Sequence, residues 1–401
     1  MRFLFLTLGY HPDPVGGAWR VASEVAERLA ARGHKVEVIT SNPDGKLPAT
    51  ETRAGVQLHR FANAAGNFFL NWRRENAAAR KILTERLAAS PEPALVGLHH
   101  AFLGPALAGC AAPLLYVFHG PWAEEFRFAK QSRPRSVLRR AFDGLVTGQL
   151  RRTERRALRQ AARIFVLSRH FESQLPRWHG APLPPVRVIS GGVNAEQFYP
   201  LPDRAAVRQE LGLAPDQFLF LTMRRLDPRM GLPILIDAFA RVAAAFPHAQ
   251  LWLTGRGPQE TALRQQIQER GLDGRVRLLG FVADAQLLKV LNAADCTVMP
   301  SLDLEGFGLA TVESLACGVP VLGSRAAATP ELLAPLSADL LFDSGSVDAL
   351  AAKFHEVLSD PRRLPARERC RDYAVTNFSW DRPVATFETC FAELHPALTR
   401  S

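Results

Sequence analysis

Cysteine is scarce. The five residues, Cys110, Cys296, Cys317, Cys370 and Cys390, are odd in number and widely spread, with no C-x-x-C pair. That argues against a disulfide framework and against a zinc site, and leaves buried thiols as the expectation. Long apolar runs are also missing, and none reaches the roughly 20 residues that a membrane-spanning helix needs. The apolar opening Met1-Arg2-Phe3-Leu4-Phe5-Leu6 runs straight into Gly9-Tyr10-His11-Pro12, with no small-residue cleavage site behind it. It therefore reads as a buried first strand rather than a secretory leader, and a cytoplasmic protein is expected. Low-complexity tracts and short internal repeats are absent from the pattern as well.

What is present is ordinary globular composition at a length too great for one core. The chain has 401 residues, 47% of them apolar and 22% charged, which predicts two domains. Short apolar runs alternate with amphipathic segments. In the first half the runs are Phe3–Leu8, Lys35–Thr40, Val56–Phe61, Ala94–Leu98, Leu114–Phe118, Arg163–Leu167 and Val186–Ile189. The second half repeats the pattern at Phe218–Thr222, Gln250–Thr254, Val276–Leu279, Cys296–Met299, Val319–Leu322 and Leu340–Phe342. Strands buried on both faces, with helices between them, predict α/β domains with parallel, doubly covered sheets. The segment Ile189–Pro202, carrying Gly191, Gly192, Pro200 and Pro202, reads as the interdomain linker.

Candidate chemistry sits where strands end. Gly16-Gly17 lies between the first strand and first helix, where glycine admits a ligand and the helix N-terminus favours an anion; an ordinary turn explains the same pair. The block Glu305-Gly306-Phe307-Gly308-Leu309-Ala310-Thr311-Val312-Glu313 follows a strand and opens a helix near Leu309. The free N–H groups of that first turn make a phosphate site. Glu313 lies about 7 Å along the helix from Gly308, so the two carboxylates flank the anion site. That is the layout of a sugar diphosphate nucleotide, with hydroxyls at both ends; a solvated helix carboxylate and a loop charge fit the pattern equally well. Arg224-Arg225 follows another strand and can pair phosphate oxygens, or remain on the surface. Gly255-Arg256-Gly257-Pro258 is a sharp turn compatible with close approach to a base or ribose. His119 stands at a strand end, as a structural ring or as a contact for a sugar hydroxyl.

The formal net charge is +10, and the excess is local. From Arg127 to Arg169 there are thirteen Lys/Arg residues against Asp143 and Glu154. Apolar residues recur among them, so the tract reads either as a solvated helix face or as a surface for anionic lipid or an anionic acceptor. Nucleic acid is not expected, because exposed aromatics are not interleaved and no known module is present.

Taken together, these residues resemble family 4 of the retaining glycosyltransferases, over nearly the whole chain. The likeness includes Gly16-Gly17, Arg32-Gly33-His34-Lys35-Val36, Glu154 ahead of Ala161–Ser168, Val188–Asn194, Arg225-Leu226, Gly255–Pro258 and Gly280-Phe281-Val282. Its most specific part is the Glu-seven residues-Glu signature between Pro300 and Pro320. The resemblance implies a GT-B fold: two Rossmann-like domains facing across a cleft, 1–190 on the acceptor side and 191–377 binding the donor. A last helix, within 378–401, returns to the first domain. It further implies that Glu313 holds the ribose hydroxyls and Glu305 those of the transferred sugar. Backbone N–H groups of Gly306, Phe307, Gly308 and Leu309 would meet sugar and phosphate, Arg225 the diphosphate with the neighbouring Arg229 as a substitute for a missing family lysine, Gly17 donor phosphate or acceptor, and His119 the sugar. Gly255 and Gly257 belong to the same donor set. The implied reaction is a hexosyl transfer from a nucleoside-diphosphate sugar to a glycan, lipid-linked or small-molecule hydroxyl, with neither metal nor cofactor. The chain departs from the family where a lysine usually follows the arginine by five residues, since Met230 stands there. Ala327-Ala328 replaces a Gly-Gly, and Gly191-Gly192-Val193 an Asn-Gly-Val. Met230 keeps a second function open, a nucleotide-sugar-binding or partner subunit of the same fold.

Overall fold

A strand buried on both faces needs a helical layer above and below it. The computed structural model, described over residues 1–13, 16–63, 68–131 and 136–395, meets that requirement twice. The chain forms two compact units, one from Met1–Arg127, Pro134–Gly191 and Trp380–Ser401, the other from Phe128–Arg133 and Gly192–Ser379.

The first unit holds β1 (Arg2–Leu6), β2 (Lys35–Asn42), β3 (Thr50–Arg53), β4 (Val56–Ala62), β5 (Ala94–Leu98), β6 (Leu114–Phe118), β7 (Arg163–Val166) and β8 (Val186–Val188). They lie in the order β3-β4-β2-β1-β5-β6-β7-β8. Phe3 pairs with Val36 on one side and with Leu95 on the other. All pairs are parallel except β3 with β4. That hairpin turns through Ala54 and Gly55, both left-handed at φ 48° and 79°. The apolar pattern gives no hint of β3, because Thr50-Glu51-Thr52-Arg53 is a polar edge strand with no buried position.

The second unit holds β9 (Phe218–Met223), β10 (Ala249–Thr254), β11 (Val276–Gly280), β12 (Cys296–Met299), β13 (Val321–Ser324) and β14 (Leu341–Phe342). The order is β11-β10-β9-β12-β13-β14, parallel throughout. The chain thus starts in the middle of the sheet, winds to one edge, and returns to wind to the other. β13 begins two residues later than its apolar run, because the Val319 amide still closes the preceding helix on Ser314 O at 2.9 Å.

The last helix spans Asp381–Leu394 rather than starting at 378. Phe378 belongs to the second unit, where its carbonyl accepts from Val193 N and its ring meets Phe307 at 5.8 Å. Within the first unit, Phe391 packs on Phe3 at 5.3 Å, and Phe387 on Phe5 and Phe165 at 5.7 and 5.2 Å. Arg32 and His34 then bind its acidic face through Asp381 and Glu388. No described helix is long and apolar enough to cross a membrane. The five cysteines are free; four are buried and Cys110 half-buried.

Candidate active site

In a doubly wound sheet, ligands meet the carboxyl ends of the strands where the winding direction reverses. In the second unit that point lies between β9 and β12, which are hydrogen-bonded neighbours. The chain leaving β9 carries Arg224 and Arg225; the chain leaving β12 carries Ser301 and Glu305.

After β12 the chain enters a turn whose Leu304 is left-handed at φ 58°. The helix Leu309–Ala316 then begins from Gly308 at φ 108°, with no side chain capping its N-terminus. A β-carbon at Gly308 would be strained by that φ and would lie 3.2 Å from both Leu332 and Thr311. Gly306 and Phe307 are buried in the same turn, while Leu309 is half-exposed. The partial positive charge of such an uncapped end favours an anion. Glu313 follows one turn later and is buried. It is therefore not a solvated helix carboxylate; an acid kept inside a short helix has to be matched to something polar. Its charge also contributes, after burial itself, to pushing the Cys317 thiol up to about 12.

Glu305 does not stand alone. Its Oε2 lies 2.6 Å from Arg224 Nη1, and Ser301 Oγ is 3.4 Å from the same oxygen. Arg224 Nη2 also donates to Ser301 Oγ. The Ser301 carbonyl accepts in turn from Ser324 Oγ at 2.5 Å and Ser344 Oγ at 3.2 Å. Arg225 is exposed. Arg229 Nη1 donates to Leu304 O at 2.9 Å, so its guanidinium reaches the signature turn, whereas Met230 is buried. The left-handed Ala327 at φ 48° occupies the position of a family glycine. The Ala328 amide beside it donates to Glu305 O at 3.2 Å.

The glycines after β10 have a structural cause. A β-carbon at Gly255 would lie 1.9 Å from Arg224 O, and one at Gly257 would lie 2.3 Å from Leu226 O. The close approach they permit is therefore that of the arginine loop, and Leu226 N is bonded to Arg256 O at 3.0 Å.

The first unit repeats the arrangement. Its reversal lies between β1 and β5, both neighbours in the sheet. Gly17 is exposed and opens the helix Gly17–Ala31, which Gly16 leaves without a side-chain cap. Asp13, ahead of this turn, is held by Arg53 at 3.1 Å and Arg60 at 3.0 Å, both from the β3–β4 hairpin. Pro14 and Val15 lie outside the described residues. His119 follows β6, and its Nε2 is 3.1 Å from His99 Nδ1 at the end of β5. Burial holds His119 well below the ordinary imidazole value, with His99 and His100 adding to the effect. Burial alone pushes His99 down to about 3 and His100 to about 4. Both members of the pair are neutral near neutral pH, so His119 offers a hydrogen bond and no charge. Its Nδ1 and His99 Nε2 are buried without partners among the described residues.

The basic tract folds mainly into the helix Val137–Gln160. Glu154 faces inward and is buried against His179, at 3.2 Å. Arg127 and Arg151 pair with Glu124. Arg139, Arg140, Arg152, Arg155, Arg156 and Arg159 are exposed, as are Phe142 (57%) and Leu145 (75%). Arg133 and Arg135 lie outside the described residues, as does the side chain of Leu138.

Two family models match the chain. Glycosyltransferase Family 4 matches residues 15–197 and Glycosyl transferases group 1 matches residues 203–376. A GDP-mannose-dependent monoacylated alpha-(1-6)-phosphatidylinositol monomannoside mannosyltransferase of Corynebacterium glutamicum is 33% identical over 202 residues, 48% of this chain and 52% of that enzyme. The chain thus spans about half the length of that relative. A glycogen synthase of Mycobacterium tuberculosis is 26% identical over 100% of this chain and 95% of its own length. Among solved structures, a sucrose-phosphate synthase from Thermosynechococcus elongatus superposes with a TM-score of 0.83, at 24% identity, over 99% of this chain and 100% of its own.

Proposed function

The chain belongs to glycosyltransferase family 4 and has the GT-B fold, and on that premise we propose that it moves a hexosyl group from a nucleoside-diphosphate sugar to a hydroxyl acceptor with retention. The observation that carries this reading is the set of groups at the reversal point of the second sheet: an uncapped helix N-terminus, a buried carboxylate one turn into it, and an arginine, Arg224, beside a second carboxylate, Glu305. Glu313 is assigned to the ribose hydroxyls, the Gly306–Leu309 amides and Arg225 to the diphosphate, and Glu305 to the sugar. Arg229 is assigned to the share of the diphosphate that a lysine takes elsewhere in the family. The bond from the anomeric carbon to the diphosphate breaks, and the acceptor oxygen bonds to that carbon on the same face. The departing phosphate oxygen takes the acceptor's proton. Cationic and amide donors stabilise the charge that develops on the leaving group. This chemistry calls on no metal or cofactor, so turnover should persist in excess chelator.

The test is nucleoside diphosphate release from GDP-mannose, UDP-glucose and ADP-glucose, with the anomeric configuration of the product read by NMR. Inverted product overturns retention. A second reading, a binding subunit without turnover, draws on the burial of Met230. It would be supported by tight donor binding with no release. The exposed Phe142 and Leu145 among arginines further suggest that the first unit meets an anionic membrane or an anionic acceptor.

A further inference from the structure

The family reading leaves Arg224 without a task. It lies 2.6 Å from Glu305 Oε2, and its side chain is only 7% exposed. Its second nitrogen donates to Ser301 Oγ, and that hydroxyl lies beside the same carboxylate oxygen. Ser301 is itself fixed by Ser324 and Ser344 through its carbonyl. The Arg224 backbone is held too, since its carbonyl fills the space that a side chain at Gly255 would need and its amide donates to Thr254 O at 3.1 Å. A guanidinium that meets Glu305 with one nitrogen and Ser301 with the other, both on the Oε2 side, fixes the position of that oxygen. Arg225, by contrast, is exposed.

We propose that Arg224 is a positioning residue: with Ser301 it occupies Oε2 of Glu305 and aims the remaining oxygen at the hydroxyls of the transferred sugar. The inference rests on the assignment of Glu305 to that sugar. A carboxylate locked in this way accepts hydrogen bonds from one direction, so it discriminates between sugars that differ in the configuration of one hydroxyl. A carboxylate free to rotate discriminates less. Arg224 thereby acts on rate and on sugar choice, while the bare nucleotide, held by other groups, is indifferent to it.

The experiment uses the full chain and the best-used donor among UDP-glucose, UDP-galactose, GDP-mannose and ADP-glucose. Wild type, Arg224→Ala, Arg224→Lys, Glu305→Ala and the double alanine variant are compared, with thermal melting confirming that each is folded. Arg224→Ala is expected to lower kcat by roughly 10- to 100-fold, the scale of a misplaced reacting group. The Kd of the free nucleoside diphosphate should stay within about threefold, and preference between UDP-glucose and UDP-galactose should narrow. Arg224→Lys should restore part of the rate, since it keeps the charge but not the two-ended grip. The double variant should be no slower than Glu305→Ala alone. Additive losses, or an equal loss of nucleotide affinity, would overturn the proposal. An unaffected Arg224→Ala beside a damaged Glu305→Ala also overturns it, whereas an unaffected Glu305→Ala overturns the underlying assignment of Glu305.

Discussion

Glu313 is a buried carboxylate in an eight-residue helix, and its burial sets what its loss does. If it accepts the ribose hydroxyls, Glu313→Ala removes hydrogen bonds to a charged group, worth about 1.5–3 kcal/mol, or roughly 10- to 100-fold in nucleoside diphosphate affinity. Calorimetric titration of the folded variant reads this directly, and unchanged affinity would remove Glu313 from the nucleotide. Ala327 carries a different load. Its left-handed backbone costs an L-residue about 1–2 kcal/mol, partly offset by the extra freedom that glycine has when unfolded. Ala327→Gly should therefore raise stability by roughly 0.5–1 kcal/mol in urea unfolding. A loss of stability would mean that the methyl group packs more favourably than the backbone is strained. Glu37 titrates with folding. Burial raises its carboxyl, but hydrogen bonds from His59, Arg2 and Arg86 outweigh burial and hold it at about 2. A folded pKa depressed below the unfolded 4.5 gives stability that is present above about 4.5 and lost as pH falls toward about 2. Glu37→Gln should lower the neutral-pH stability and flatten the acid limb of the stability curve. An acid limb identical to wild type would show that the cluster is not linked to folding.

At the scale of elements, the helix Val137–Gln160 has two characters. Its later turns bury Thr153, Glu154, Ala157 and Leu158, while its earlier turns expose Arg139, Arg140, Phe142 and Leu145. Each arginine near an anionic surface is worth on the order of 1 kcal/mol, and each apolar side chain newly buried about 1.5–3 kcal/mol. Sedimentation with vesicles of rising anionic lipid content should therefore show binding that weakens steeply with salt. Replacing Phe142 and Leu145 with serine should lower it by at least about tenfold, from the lost apolar burial alone. Absence of binding at every composition would leave a soluble or uncharged acceptor as the better reading of the tract.

At the scale of the whole molecule, the first unit is completed by the end of the chain. The fully buried Phe387 joins the Asp381–Leu394 helix to Phe5 on β1 and Phe165 on β7. Phe387→Ala should cost about 3–5 kcal/mol, seen as an earlier urea transition by the first unit. No change in that transition would mean that the last helix contributes little to it. The sequence by itself determined the two α/β units, the strand runs and the opening of the Leu309 helix, because period and glycine placement are local properties that short stretches of chain carry alone. It also placed Glu305, Glu313, Arg225 and His119 after strands. The polar β3 escaped it, because a ladder of backbone bonds at an edge leaves no apolar signature. Only the tertiary structure decided that Arg224 rather than Arg225 meets Glu305, that Gly255 and Gly257 make room for a neighbouring loop, that Arg229 reaches the signature turn, and that His99 stands against His119. Each of these contacts joins segments brought together by sheet order, and adjacency of strands distant in sequence is set by the packing of the whole sheet, which no local pattern encodes.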